Sequence, residues 1–304
     1  MVLNPVSGTH DPDATAGAVR RALEDHGYQV EIRPTREDGD AARWSSSAAE
    51  EGVDLLVAVG GDGTVASVLD GARHAPEPVP VAIVPMGSAN GVARAMGIPS
   101  AGTEVLPTLL QGRVVPIDLF EVASTGRAFV LFLGAGFDAD LNADVPRASK
   151  RRFGFFAYLA AAARRLRPRP SHRIDLRLDG RSLRTRGHSV SLVNAAPVPF
   201  WGVALGPEAL SDDGLLDVTV LRRRGPVGVA WDALDLLTGR AHETRAWQAR
   251  RVTVDATPAL PVHADGELIG TTPVTVTAVP YGARLLVPAP NRRSSSGPTP
   301  GSEA

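Results

Sequence analysis

Two short stretches of this sequence carry residue types at spacings that chemistry needs. The first is VAVGGDGTVASVL, Val57 to Leu69, where an apolar run meets Gly60, Gly61, Asp62, Gly63 and Thr64 and passes directly into a helical pattern. Three glycines let a backbone approach a ligand closely, and the free N–H groups of a helix start attract an anion, most simply a nucleotide phosphate. Asp62 puts a carboxylate where phosphate is expected, which makes sense if Mg²⁺ or a ribose hydroxyl lies between them. A plain strand-to-helix turn would need only one glycine. The second stretch is Asp265-Gly266-Glu267, after a strand-like run. Carboxylates flanking a glycine can take the proton of a hydroxyl as it attacks a phosphorus. Asp-Gly is equally the favoured dipeptide of a hairpin turn.

The elements that must position these residues can be bounded from composition. At 304 residues the chain has room for about two domains. A hydrophobic fraction of 43% with 21% charged residues is globular and argues against disorder. The 32 basic and 33 acidic residues nearly cancel, so nothing in the charge balance suggests a generic nucleic-acid binder. There is no cysteine, which removes disulfides, thiolate zinc sites and a cysteine nucleophile. Lys150 is the only lysine, so fixed phosphate contacts fall to arginines and backbone amides. The N-terminus MVLNPVSGTH lacks a signal-peptide pattern, and Phe153 to Ala163 is too short for the roughly 20 residues of a membrane span. The expectation is a cytoplasmic protein.

Up to residue 118 the pattern alternates. Helices are predicted over Ala14–His26, Arg43–Glu51, Val65–Arg73 and Ala89–Met96, and strands over Tyr28–Arg33, Asp54–Val59 and Val79–Val84. Apolar strands alternating with helices imply a parallel sheet covered on both faces. From Val114 onward short strands dominate: Phe129–Leu133, Arg173–Leu178, Ser189–Val193, Leu216–Leu221, Arg251–Asp255, Val274–Ala278 and Arg284–Val287, punctuated by Gly, Pro and Asp. Two helices, Phe153–Leu166 and Val227–Thr238, interrupt them. The predicted division is a nucleotide-binding α/β domain at 1–118, a β-rich lipid-substrate domain at 119–290 and a disordered polar tail at 291–304.

GGDGT is shared by the diacylglycerol and sphingosine kinases, the NAD kinases and, more loosely, the phosphofructokinases. Four further motifs separate them. Asn4-Pro5-Val6-Ser7-Gly8 resembles the lipid-kinase NPxSG loop, and PMGSANGVAR, from Pro85 to Arg94, resembles PxGTxNDxAR. LSDDGLLDV, from Leu210 to Val218, resembles DDGxLDV, and Ala264 to Glu267 resembles xDGE. In this order and over most of the chain, the motifs resemble the diacylglycerol kinase family. The resemblance implies an N-terminal Rossmann-like parallel α/β domain followed by a mostly antiparallel β-sandwich domain.

It also implies roles. Asn4, Pro5, Ser7, Gly8 and Thr35, with Gly60, Gly61, Asp62, Gly63 and Thr64, would contact ATP at the carboxyl edge of the first sheet. Ser88, Asn90 and Arg94 would join them, though Ser88 could merely cap a helix and Arg94 could be an ordinary surface arginine. Glu267 is implied first as proton acceptor and Asp265 second. Metal roles fall on Asp62 and Asp118, near the cleft, and on Asp213 with the carbonyls of Leu210 and Leu215, where a metal-free turn is the rival.

The family Asp after Asn90 is replaced by Gly91, as in the sphingosine-kinase form of the motif, which leaves Asp62 with fewer metal partners. Nine basic side chains and no acidic one lie between Arg147 and Arg173, around the apolar run FGFFAYLAAAA. This suits peripheral contact with anionic membrane, or a helix packed on its own domain with solvated ends. The implied activity is transfer of the ATP γ-phosphate, with Mg²⁺, to a lipid hydroxyl. Diacylglycerol giving phosphatidic acid comes first, and then a sphingoid base or other lipid alcohol. NAD kinase and an inactive nucleotide- or lipid-binding homologue remain alternatives. No nucleic-acid partner is expected, and a homodimer is compatible with the resemblance.

Overall fold

The structure, a computed structural model, describes residues 1–8, 11–75, 77–99, 102–136, 171–194, 212–222 and 246–289. Leu210, both predicted helices of the second half, the basic stretch before Ser171 and the predicted tail lie outside the described residues.

The first part alternates as its apolar pattern demands. It runs β1 (Val2–Leu3), α1 (Pro12–Glu24), β2 (Arg33–Pro34), α2 (Asp40–Ser47), β3 (Leu56–Gly60), α3 (Asp62–Ala72), β4 (Val81–Pro85), α4 (Gly91–Ala95) and α5 (Leu106–Gln111). Every residue of β3 and β4 is buried, as strands covered on both faces must be. Asp11 starts α1 by accepting the Ala14 N–H, with Pro12 in the first turn, where its missing N–H costs nothing. The strand predicted over Tyr28–Arg33 is instead only Arg33–Pro34, because β1 offers it just two residues to pair with. α3 begins three residues before the predicted Val65, so the glycine turn is itself the first turn of the helix.

The remaining described strands are β5 (Arg113–Val122), β6 (Ala128–Phe129), β7 (Phe132–Gly136), β8 (His172–Leu178), β9 (Arg181–Gly187), β10 (Ser189–Val193) and β11 (Leu216–Leu221). They are followed by β12 (Ala246–Ala249), β13 (Arg251–Thr257), β14 (Pro261–Ala264), β15 (Glu267–Thr271) and β16 (Val274–Val287). β7, β10, β11, β12, β14 and β15 form a six-stranded antiparallel sheet in the order β12-β11-β10-β7-β14-β15. The others build one ten-stranded sheet, β2-β1-β3-β4-β16-β13-β8-β9, with β5 on β16 and β6 on β5. Phe120, Ile174, Val252 and Val276 of the larger sheet pack with Leu133, Leu192, Val218 and Val262 of the smaller, a sandwich core.

β16 serves both halves. Its first part pairs with β13, and its last part returns to the α/β core, where Leu285 pairs with Val81 in parallel. The predicted boundary at residue 118 thus falls inside β5, whose ladder with β16 runs from one core to the other. That ladder shifts register between Val279 and Ala283, and Tyr281 there has φ 52°. Asp118, fully buried, braces the irregularity: Oδ1 accepts the Tyr281 N–H at 2.8 Å and Oδ2 the Gly214 N–H at 2.6 Å. β9 was not legible because alternate positions carry arginines to solvent.

Candidate active site

The carboxyl ends of β1, β2, β3 and β4 lie along one edge of a parallel sheet, so the loops that follow them meet there. Asn4 to Gly8 turns first: the Asn4 carbonyl accepts the Ser7 N–H, and its side-chain oxygen accepts the Val6 N–H. Asn4 Nδ2 donates to Thr64 Oγ1 at 3.0 Å, tying this loop to the start of α3. Gly8 has φ 79°, and a Cβ there would run into the Met86 carbonyl oxygen. Only glycine lets the loop after β1 close on the loop after β4.

The loops after β3 and β4 approach backbone to backbone. A Cβ on Gly87 would lie 2.7 Å from Gly61 Cα, and one on Gly61 would lie 3.2 Å from Gly87 Cα. Asn90, in a left-handed conformation, holds the loop after β4 by accepting the Gly87 N–H and donating to the Gly87 carbonyl, both at 2.8 Å. Its side chain thus shapes the loop. Ser88 and Arg94 are exposed, and Thr35 closes β2 by donating its N–H to the Leu3 carbonyl. Gly61 caps α3 with no side chain bonded to the first N–H groups.

Asp62, in the first turn of α3, accepts the Val92 N–H through Oδ1 at 3.2 Å. Asp62 thus also has a structural role, because the short α4 needs an acceptor at its start. Burial raises its pKa, with the Val92, Gly91 and Asn90 amides and the charge of Arg94 acting in the opposite sense.

The six-stranded sheet supplies the opposite wall. Asp265 and Gly266 join β14 to β15 with φ 45° and 88°, the two positive values a tight two-residue hairpin requires. The hairpin turns the Asp265 carboxylate inward, where Oδ2 accepts the Val130 N–H at 2.7 Å and Oδ1 the Leu131 and Phe132 N–H at 2.9 and 3.0 Å. Burial pushes its pKa up to about 6, the three N–H groups pull it down, and the charge of Asp62 raises it further. Glu267 remains exposed, and its Oε1 lies 3.3 Å from where a Cβ on Gly63 would sit. It therefore faces the α3 start. Arg127, which no motif marks, reaches Glu267 Oε2 with Nη2 at 3.2 Å. The two share with Gly63, Phe129, Asp265 and Ile269 the lining of a crevice of about 30 Å³.

A cavity of about 650 Å³ opens elsewhere, at the amino edge of the first sheet beside Met1, Tyr28 and Trp44, and none of the candidate residues lines it. The carbonyl of Leu210 lies outside the described residues, Asp213 Oδ1 accepts the Leu215 N–H, and Asp118 is occupied by backbone groups. Among the described residues no cluster of three His, Cys, Asp or Glu side chains is close enough to hold a metal. Near α3, Asp62 fits Mg²⁺: it is an oxygen donor in a poorly solvated place beside a second carboxylate, and a hard cation would relieve both.

Residues 1–122 match the family described as the diacylglycerol kinase catalytic domain, and residues 132–287 the YegS C-terminal NAD kinase beta sandwich-like domain. The chain belongs to this YegS-like lipid kinase family. A relative from Stenotrophomonas maltophilia named probable lipid kinase YegS-like is 34% identical over 275 residues, 86% of this chain and 88% of the relative. One of the same name from Pseudomonas putida is 31% identical, over 92% and 94% of the two chains. Among solved structures, a diacylglycerol kinase from Bacillus anthracis has a TM-score of 0.73 at 22% identity, over 94% of this chain and 95% of that one. An NAD kinase from Archaeoglobus fulgidus, in complex with ATP, has a TM-score of 0.51 at 15% identity, over 94% and 92%. These two likenesses carry the fold alone. As a family member the chain is a kinase, and no described helix is long and apolar enough to cross a membrane.

Proposed function

We propose that this YegS-like kinase transfers the γ-phosphate of ATP to the hydroxyl of a membrane lipid, with diacylglycerol the first candidate. The observation that carries the reading is the meeting of three backbone-shaped loops at the start of α3 with Glu267 from the other sheet. The N–H groups at the start of α3 suit phosphate oxygens, and Arg94 adds positive charge beside Asp62. Asn4, Gly8, Gly61, Gly87 and Asn90 form the floor on which the nucleotide lies. Mg²⁺ held at Asp62 would draw charge from the phosphate oxygens.

Glu267 is the proton acceptor. It is exposed at the mouth, so a lipid hydroxyl can reach it. The hydroxyl oxygen attacks the γ-phosphorus, the bond from that phosphorus to the bridging oxygen breaks, ADP leaves, and the hydroxyl proton passes to Glu267. Asp265 supports rather than reacts, since both its oxygens hold the backbone of residues 130–132. The basic stretch from Arg147 to Arg173 supports docking on an anionic membrane, each arginine near the surface adding about 1 kcal/mol. Incubation with γ-labelled ATP, Mg²⁺ and a total lipid extract, with mass spectrometry of the product, tests the reading. A labelled phospholipid is expected. Label appearing only in NAD when NAD is supplied would overturn it.

A further inference from the structure

The ion pair between Arg127 and Glu267 sits where proposed base and proposed phosphate site meet, and it joins residues 140 positions apart. Arg127 lies in the turn between β5 and β6, and its backbone is fixed there. Its carbonyl accepts the Val122 N–H at 2.9 Å, and its N–H donates to Thr125 Oγ1 at 3.3 Å. Only the side chain is free to change direction. The pair itself is weak: the side chains are 47% and 52% exposed, where an ion pair contributes about 0–1 kcal/mol.

A terminal phosphate at the start of α3 would arrive beside Glu267 Oε1, which lies over Gly63. It would be repelled by that carboxylate and attracted by the guanidinium on its far side. A guanidinium binds a phosphate through two parallel hydrogen bonds, and a phosphate carries more charge than a carboxylate, so the exchange favours the phosphate.

We infer that Arg127 is a nucleotide-triggered positioning residue. Without ATP it pairs with Glu267; with ATP it turns to the γ-phosphate and leaves Glu267 free to accept the lipid proton. The base is thereby unmasked only once there is a phosphoryl group to transfer. The inference rests on the proposed kinase reading, and names a residue that neither the motifs nor the family match singles out.

Calorimetric titration of the full chain with Mg²⁺ and either ADP or the β,γ-imido analogue of ATP tests it. Arg127→Gln should leave ADP binding unchanged and weaken the analogue by roughly ten- to hundredfold, the value of a charge-assisted hydrogen bond. Arg127→Lys should recover part of that loss. Glu267→Gln should bind the analogue several-fold more tightly than wild type, since Arg127 then has no competing carboxylate, with ADP again unaffected. Equal weakening of both nucleotides in Arg127→Gln, no weakening at all, or no tightening in Glu267→Gln would overturn the inference and leave the kinase reading intact. Wild-type chain that binds neither nucleotide would overturn both.

Discussion

Replacing Asp265 by Asn keeps the side chain's shape and removes its charge. In the wild type, burial holds the carboxyl at a pKa of about 6, up from an ordinary 3.8. The folded chain therefore grips this proton more tightly than the unfolded chain does. Stability from this group is greatest below the ordinary pKa and falls as pH rises through the window to about 6. At about 1.4 kcal/mol per unit, the loss across that window is roughly 3 kcal/mol. The asparagine keeps one oxygen for the Leu131 and Phe132 N–H groups but points its own N–H₂ at the Val130 N–H, which costs about 1–3 kcal/mol. At pH 4.5 the variant should thus be less stable than wild type by about 1–3 kcal/mol, and near pH 7 the two should come within about 2 kcal/mol. Urea unfolding of both proteins from pH 4.5 to 7.5 measures the difference, in which other titrating groups cancel. Parallel curves, with a difference independent of pH, would refute the argument that the buried charge of Asp265 carries a cost.

Asp62→Ala should abolish turnover and also cost about 0.5–2 kcal/mol by leaving the Val92 N–H without its acceptor. Asp62→Asn keeps an acceptor, so it should lose turnover with a smaller drop in thermal stability, and wild-type rates in either variant would remove Asp62 from the site. Gly8→Ala should lose at least about 2 kcal/mol in chemical unfolding, because its Cβ meets the Met86 carbonyl and φ is positive. Gly91→Asp places a Cβ 2.7 Å from Leu131 Cδ1 and 3.7 Å from Asp62 Oδ1, so it should cost about 1–3 kcal/mol and lower the Mg²⁺ concentration for half-maximal rate. An unchanged Mg²⁺ requirement with a raised KM for lipid would mean that Gly91 instead leaves room for substrate.

The parts of the fold set by local pattern were legible in the sequence. Continuous apolar runs gave β3 and β4, and the glycine-rich turn after Val59 announced a ligand loop before any neighbour was known. What depended on distant partners was not legible. Asp265-Gly266 reads as either a hairpin turn or a reactive site, and it is a turn that also delivers a carboxylate to the backbone of residues 130–132. Asp118 reads as the end of a strand, yet its partners lie 96 and 163 positions away. Nothing in the polarity of Arg284–Val287 shows that this segment pairs with β4 and β5 of the first sheet, because a buried strand looks the same whichever core it joins. Arg127 had no signal at all, for its meaning lies in one contact across the cleft.

In the proposed mechanism Glu267 takes the lipid proton beside a nucleotide held by the loops at the start of α3. Single-turnover transfer from labelled ATP to diacylglycerol in mixed micelles, comparing wild type with Glu267→Gln at saturating nucleotide, tests it most directly. The variant should bind the β,γ-imido ATP analogue at least as tightly as wild type and transfer phosphate slower by about 10²–10⁴-fold, the usual contribution of a general base. Transfer at the wild-type rate with nucleotide binding intact would contradict it.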